Sequence, residues 1–161
     1  MQHSTNVPST AADGYYKAWT LLNQTEHLIQ KVRQRELAQA GISVIESAVL
    51  FVLANSDGPV TPAEMSRYLL REMHSVSMLL QRMEAKGLIT KAKNLHHKHL
   101  IRITLTKKGR IAYERSQKLN HIERVLSSLS KTKLDQLDAA LRKLRDTAAK
   151  ELGINHDIRF P

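Results

Sequence analysis

The sequence predicts a mainly α-helical protein with one small β-hairpin, an α+β fold. Aromatic residues make up only 4% of its 161 residues and apolar residues 42%, a composition that suits a helical core. Apolar residues recur at helical spacing over most of the chain, and two strand-like segments, 88–91 and 100–105, follow each other closely. The length allows one domain with its own core, or a domain with a dimerisation arm.

The N-terminal part predicts a tail and two helices. Residues 1–13 are polar, and we expect them to be disordered. A long helix is predicted over residues 15–39, where apolar residues recur at helical spacing before a glycine. Ser43 and Glu46 form a capping box at the start of a second helix, which is apolar almost all round and ends at the turn-forming residues 55–59.

The middle of the chain predicts a module that binds nucleic acid. Thr61 and Glu64 form a second capping box with a proline at the first helical position, and a further amphipathic helix is predicted over residues 73–86. The strand-like segments follow, joined by a tip rich in Lys and His. Two short helices before a basic hairpin form a winged helix-turn-helix, in which one helix enters the major groove of duplex DNA.

Positive charge is concentrated in this module. The net charge is +10, and nine basic residues between Arg82 and Arg110 stand against one acid, Glu84. A charge run is usually only a solvated surface. Here it coincides with the helix-hairpin module, which favours binding of a polyanion.

The C-terminal part predicts long helices that associate. Thr106 can cap a helix that reaches about residue 127, and Ser130 can cap a last helix over residues 131–151. A narrow leucine stripe on the last helix resembles a coiled-coil seam, so we expect a partner helix, most simply from a second copy of the chain. The predicted interface residues are Leu134, Leu137, Leu141 and Leu144.

Several classes of function are disfavoured. The chain has no Cys, which excludes disulfides and thiolate metal sites and favours a cytoplasmic location. The longest apolar run, residues 48–54, is too short to span a bilayer, so no membrane association is expected. No nucleophile elbow, metalloprotease motif or phosphate-binding loop is present, and we therefore expect no enzymatic activity and no cofactor.

The histidines of the hairpin tip allow two interpretations. Neutral imidazole is a common metal ligand, but no carboxylate or Cys lies near His96, His97 and His99 to complete a site. We expect contacts with DNA there and no specific metal site. Protonation of these rings would then tighten DNA binding at lower pH.

The order of these parts resembles the MarR family of bacterial transcription regulators over nearly all of residues 15–152. The most specific piece is EAKGLI at residues 84–89, followed after a fixed interval by LTKKG at residues 105–109. The family pattern is L-E-x-K/R-G-L-V/I, a wing, then L-T-x-x-G. Two positions depart from the family: the wing tip has His97-Lys98-His99 in place of an Asp that orients an Arg, and Met78 replaces a basic or polar residue.

The resemblance implies one domain over residues 14–161 in a triangular homodimer. Dimerisation helices would cover residues 14–40 and 107–152, and the winged helix-turn-helix lobe residues 43–106. Such regulators usually repress nearby genes from pseudo-palindromic operators, and many release DNA when a small aromatic or phenolic ligand binds. A ligand pocket would then involve Tyr15, Trp19, His27 and Tyr68. The alternative is that Trp19 is simply core or dimer interface.

We therefore expect a sequence-specific, homodimeric repressor that binds double-stranded DNA. The alternative is a sequence-indifferent architectural protein. In the recognition helix, Gln suits adenine and Arg suits guanine, although the serines could be plain surface residues and the Arg could bond an internal carboxylate. The residues expected on this face are Ser75, Ser77, Met78, Gln81 and Arg82. The residues expected to contact DNA from the wing and backbone are Thr61, Lys91, Lys93, His97, Lys98, His99 and Arg102.

Overall fold

The computed structural model describes residues 11–93, 101–118 and 121–154, and it confirms a mainly helical fold with a single hairpin. The elements of these residues are α1 (Ala11–Ala38), α2 (Val44–Asn55), α3 (Pro62–Leu69), α4 (Met73–Ala85), β1 (Ile89–Lys93), β2 (Ile101–Leu105), α5 (Lys107–Gln117), α6 (His121–Leu126) and α7 (Lys131–Glu151).

The helix starts that the capping residues predict are confirmed. The Ser43 hydroxyl accepts from the Glu46 N–H at 3.3 Å, and the Glu46 carboxylate accepts from the Ser43 N–H at 2.8 Å. The same reciprocal pair begins α3, while the hydroxyls of Thr106 and Ser130 begin α5 and α7. Each cap satisfies backbone N–H groups that have no partner within the helix.

The hydrophobic core holds α2, α3, α4, the hairpin and α5 together with the last turn of α1. Burying one large aliphatic side chain contributes roughly 1.5–3 kcal/mol, so the helices and the hairpin stabilise one another as a single lobe. The buried members are Leu37, Ile42, Val49, Leu50, Val52, Val60, Met65, Val76, Leu79, Leu80, Met83, Leu88, Ile89, Ile103 and Ala112.

The hairpin is antiparallel and is fixed to the segment before α3. Ile89 pairs with Leu105 and Lys93 pairs with Ile101. On the far edge of β2, Ile103 donates its N–H to the Val60 carbonyl at 2.8 Å and accepts the Val60 N–H at 3.3 Å. The described strands of the hairpin are therefore held against the lobe.

The LTKKG motif closes the lobe behind the hairpin. The Thr106 hydroxyl lies 2.7 Å from the Gly87 carbonyl, to which it can donate, and accepts the Gly109 N–H at 2.9 Å. A Cβ atom on Gly109 would lie less than 3.0 Å from the Leu88 carbonyl oxygen, closer than real Cβ contacts allow. The glycine of the motif thus lets α5 lie directly on the backbone that precedes β1.

Two predicted boundaries are wrong. The helix expected to run to about residue 127 ends at Gln117, and α6 begins at His121, where the buried Glu36 carboxylate accepts the His121 backbone N–H. The contact joins residues more than eighty positions apart, and local periodicity does not report it. Helix α1 begins at Ala11, so residues 11–13 of the expected disordered tail are helical.

Two helices expose apolar surface. In α7 the stripe of Leu134, Leu137, Leu141 and Leu144 is between 36% and 57% exposed, and the helix has only sparse contacts with the other described residues. In the first half of α1, Trp19 is 58% exposed. None of the helices in the described ranges combines the length and the hydropathy that a membrane span requires.

Candidate nucleic-acid interface

Helix α4 turns one face to the core and the other to solvent. Val76, Leu79, Leu80 and Met83 are buried, as helical spacing predicts. All five residues expected on the recognition face are exposed: Ser75, Ser77, Met78, Gln81 and Arg82. Neither Gln81 nor Arg82 is turned inward, so the face offers one amide, one guanidinium and two hydroxyls to a groove.

His74 belongs to the same face and was missed. It is exposed in the first turn of α4, three residues before Ser77 and seven before Gln81. Residues at these spacings share one side of a helix, and the N-terminal residues of a recognition helix are the ones that reach base edges. The spacing was the signal that could have identified His74 from the sequence.

The two ends of α4 are held differently. At the C-terminal end, the Lys86 ammonium contacts the buried Glu46 carboxylate of α2 at 2.7 Å, and Lys108 donates to the Lys86 carbonyl at 2.7 Å. At the N-terminal end, no side chain of the described residues caps the helix at Glu72. Lys86, one cation of the basic stretch, therefore anchors the helix.

The Glu46 carboxylate is charged despite its burial. Burial alone would raise the pKa of Glu46, but the hydrogen bonds from Lys86 and from the Ser43 backbone outweigh it and hold the pKa below its ordinary value. The ionised carboxylate both caps α2 and fixes the end of α4.

Thr61 is occupied by its capping role. Its hydroxyl donates to the Glu64 carboxylate at 2.7 Å and accepts the Glu64 N–H at 3.2 Å. The bond from the Thr61 backbone lowers the pKa of Glu64. The Thr61 hydroxyl is therefore not free for a phosphate. A phosphate contact at the helix N-terminus stays a prediction.

The hairpin distributes its cations over two faces. Lys91 and Lys93 lie on one face, and Arg102, which pairs with Ala92, lies on the other. The Lys91 ammonium contacts the Glu84 carboxylate at 2.8 Å, which partly neutralises it, while Lys93 is exposed. Arg102 is half-buried and donates to the Pro59 carbonyl at 3.4 Å.

The tip residues His97, Lys98 and His99 lie outside the described residues. Within the described part of the chain, no three His, Asp or Glu side chains gather as metal ligands would. The contacts of the tip with DNA stay predictions.

A cavity of about 630 Å³ lies where α1, α2 and the end of α3 meet. It contains two of the four residues predicted for a ligand pocket, His27 and Tyr68, with an apolar wall of Val44 and Ile45. Tyr15 and Trp19 do not line it. The Trp19 ring contacts that of Tyr16 with 5.5 Å between centroids, near the start of α1.

Part of the sequence matches a family model. Residues 40–98, which include α2, α3, α4 and β1, match the MarR family. Over this stretch the sequence is similar to the MarR family. Members of that family are DNA-binding transcriptional regulators, and the fold described above is consistent with theirs.

Solved structures agree over nearly the full length. The ligand-free organohalide-sensing regulator RdhR-CbdbA1625 is 26% identical with a TM-score of 0.79, covering 98% of this chain and 94% of its own. Its form bound to 2,4-dichlorophenol is 28% identical with a TM-score of 0.77, covering 91% and 89%. A mutant MarR from E. coli complexed with operator DNA is 18% identical with a TM-score of 0.75, covering 84% of this chain and 99% of its own. At this identity the similarity is one of fold alone. No curated protein sequence matches this chain.

Proposed function

We propose that this chain is a MarR-family regulator, a homodimeric, sequence-specific repressor that binds a pseudo-palindromic operator. The observation that carries the proposal is the solvent-facing surface of α4, where Gln81 and Arg82 stand out from a helix whose other side is buried. Both side chains can form bidentate bonds with base edges, which a sequence-indifferent DNA-binding protein does not need.

The exposed apolar surfaces support a dimer. A single chain would leave the leucine stripe of α7 and the aromatic start of α1 in water, with Leu144 at 57% and Tyr15 at 77% exposure. Apolar patches of this kind usually mark association surfaces, and a two-fold dimer would cover them with copies of themselves. Two recognition helices about 34–36 Å apart would then reach half-sites one helical turn apart.

Selection of bound fragments from random double-stranded DNA tests the proposal. We expect an enriched motif with two inverted half-sites, and a dimer by sedimentation at the same protein concentration. Competition with unrelated DNA at fixed salt separates this function from a sequence-indifferent architectural role, because non-specific affinity comes almost entirely from phosphate contacts. No enriched motif, together with equal competition by every DNA, would contradict sequence-specific repression.

We further propose that a small aromatic or phenolic effector enters the cavity between α1, α2 and α3. Its volume of about 630 Å³ lies within the range of small-molecule sites, and Tyr68 and His27 provide polar groups beside an apolar wall. The related regulator RdhR-CbdbA1625 has been solved with 2,4-dichlorophenol bound, which supports a phenol as the first probe.

Titration of 2,4-dichlorophenol into the complex with operator tests this part. We expect release of DNA from the wild type and weaker release from Tyr68→Phe, which lacks the hydroxyl. Tyr16→Phe is the matched control, because Tyr16 is exposed on α1 and does not line the cavity. If Tyr16→Phe and Tyr68→Phe change the release equally, the effector does not occupy this cavity.

A further inference from the structure

One carboxylate is buried at the junction of α1, α5 and α6. Glu36 is 2% exposed. Its Oε1 accepts the His121 N–H at 2.6 Å and lies 2.7 Å from the His121 Nδ1, while its Oε2 accepts from the Arg33 guanidinium at 3.1 Å. Arg33 also donates to the Ser116 carbonyl in the last turn of α5 at 3.3 Å. We call Arg33, Glu36, Ser116 and His121 the Glu36 junction.

The Glu36 junction lies between the two functional parts of the chain. Helix α5 belongs to the lobe, since Ala112 is in its core and Gly109 lies on the Leu88 backbone. Helix α6 packs on α1 and leads into α7, whose leucine stripe has sparse contacts in the single chain. Together α6 and α7 form an arm, and the point at which this arm leaves the lobe lies where α5 ends and α6 begins.

The carboxylate has a partner on each side of that break. Through Arg33 it is tied to the end of α5, and directly it caps the first residue of α6. A buried carboxylate is tolerated only when its oxygens are satisfied, and loss of one partner leaves an uncompensated charge. Both oxygens of Glu36 are satisfied here, so the arrangement selects one geometry of the arm.

We propose that Glu36 is a positioning residue that fixes the dimerisation arm relative to the DNA-binding lobe and thereby sets the separation of the two recognition helices. This role rests on the proposed binding of a dimer to two half-sites. When both lobes bind one DNA molecule, the second lobe binds at a high effective concentration, which is lost when the geometry does not match. Glu36 acts on this coupling and does not contact DNA.

Glu36→Gln tests the proposal, because it keeps the size of the side chain and removes the charge. We expect affinity for a single half-site to stay within about twofold of the wild type, and affinity for the complete operator to fall by about tenfold or more. Glu114→Gln is the matched control, the same change at an exposed position of α5, with no effect on either DNA. Equal losses on the half-site and on the operator, or no loss on either, would overturn the positioning role.

A distance measurement tests the junction without DNA. The chain has no Cys, so Ala85→Cys on α4 and Lys133→Cys on α7, both exposed, place two spin labels on lobe and arm of one chain. Dilution with excess unlabelled protein isolates the distance within that chain. We expect Glu36→Gln to broaden or shift this distance relative to both the wild type and Glu114→Gln. An unchanged distribution overturns the proposal.

His121→Ala provides a milder second variant in case Glu36→Gln does not fold. It removes the ring contact but keeps the backbone N–H that Glu36 binds, and the ring is 52% exposed. We expect the same changes with smaller amplitude, and their absence in a folded His121→Ala protein counts against the proposal. If the wild type shows no preference for paired half-sites, the proposed operator binding fails, while the distances still decide whether Glu36 sets the arm.

Discussion

Replacement of Gly109 by Ala should destabilise the lobe more than replacement of any other glycine by Ala. The new Cβ would lie less than 3.0 Å from the Leu88 carbonyl oxygen and 3.3 Å from the Leu105 side chain. The Leu88 oxygen must therefore move, although it accepts from the Thr106 N–H at 3.2 Å and lies 3.1 Å from the Thr106 hydroxyl.

The magnitude follows from these contacts. Overpacking costs about 1–3 kcal/mol, and two weakened hydrogen bonds add about 0.5–1.5 kcal/mol each. The better helix propensity of Ala returns about 1 kcal/mol. We expect a net loss of about 3 kcal/mol, which is a large share of the 5–15 kcal/mol that typically stabilises a domain.

Urea unfolding at fixed protein concentration measures the effect as a lower midpoint with an unchanged slope. Gly14→Ala is the matched control, because Gly14 is also helical and has no atom within 4 Å of an added Cβ. It should be neutral or stabilising by up to about 1 kcal/mol. A Gly109→Ala protein as stable as Gly14→Ala would refute the close approach of α5 to the Leu88 backbone.

Three further predictions concern DNA, pH and association. Arg82→Ala should relax base preference at one operator position by about 1–3 kcal/mol, whereas Lys93→Ala should weaken binding to all sequences alike and flatten the salt slope by about 1. Binding to operator and to random DNA, measured over a series of salt concentrations, checks both. Equal losses for Arg82→Ala on the two DNAs would exclude base reading. Because the pKa of Glu46 is lowered in the folded state, its contribution to stability is present near neutral pH and is lost as pH falls below the ordinary 4.5. Lys86→Met removes the half-exposed partner of Glu46 and should lower the free energy of unfolding by about 1–2 kcal/mol at pH 7, as measured with urea. The difference in this free energy between the variant and the wild type should shrink below pH 4.5, and a constant difference would contradict the ion pair. Leu144→Lys should shift sedimentation toward a monomer without loss of helical circular dichroism, and an unaltered dimer would place the interface elsewhere.

The sequence was most informative where structure is decided locally. Ser43, Thr61, Thr106 and Ser130 each mark a helix start, because a side-chain oxygen needs only the N–H groups of the next three residues. The buried stripe of α4 followed from helical spacing, and the outward position of Arg82 followed with it.

Features that depend on distant residues could not be predicted in this way. Helix α6 begins where His121 binds Glu36, which lies far away in sequence, and no periodicity records that contact. Grouping Trp19 with Tyr68 in one pocket relied on the family resemblance, and the single chain does not bring them together at the cavity. Nothing in the sequence near Lys86 indicates that its ammonium binds Glu46, forty residues earlier.

The unequal ends of α4 have a consequence for its internal motion. Bonds from Lys86 and Lys108 fasten the last turn, while the first turn at Glu72 has no side-chain cap among the described residues. Backbone amides should therefore exchange with deuterium fastest near His74 and progressively more slowly toward Met83. In the proposed complex with DNA, the N-terminal end of α4 would then adjust its position to each base step, whereas the opposite end would act as a fixed pivot.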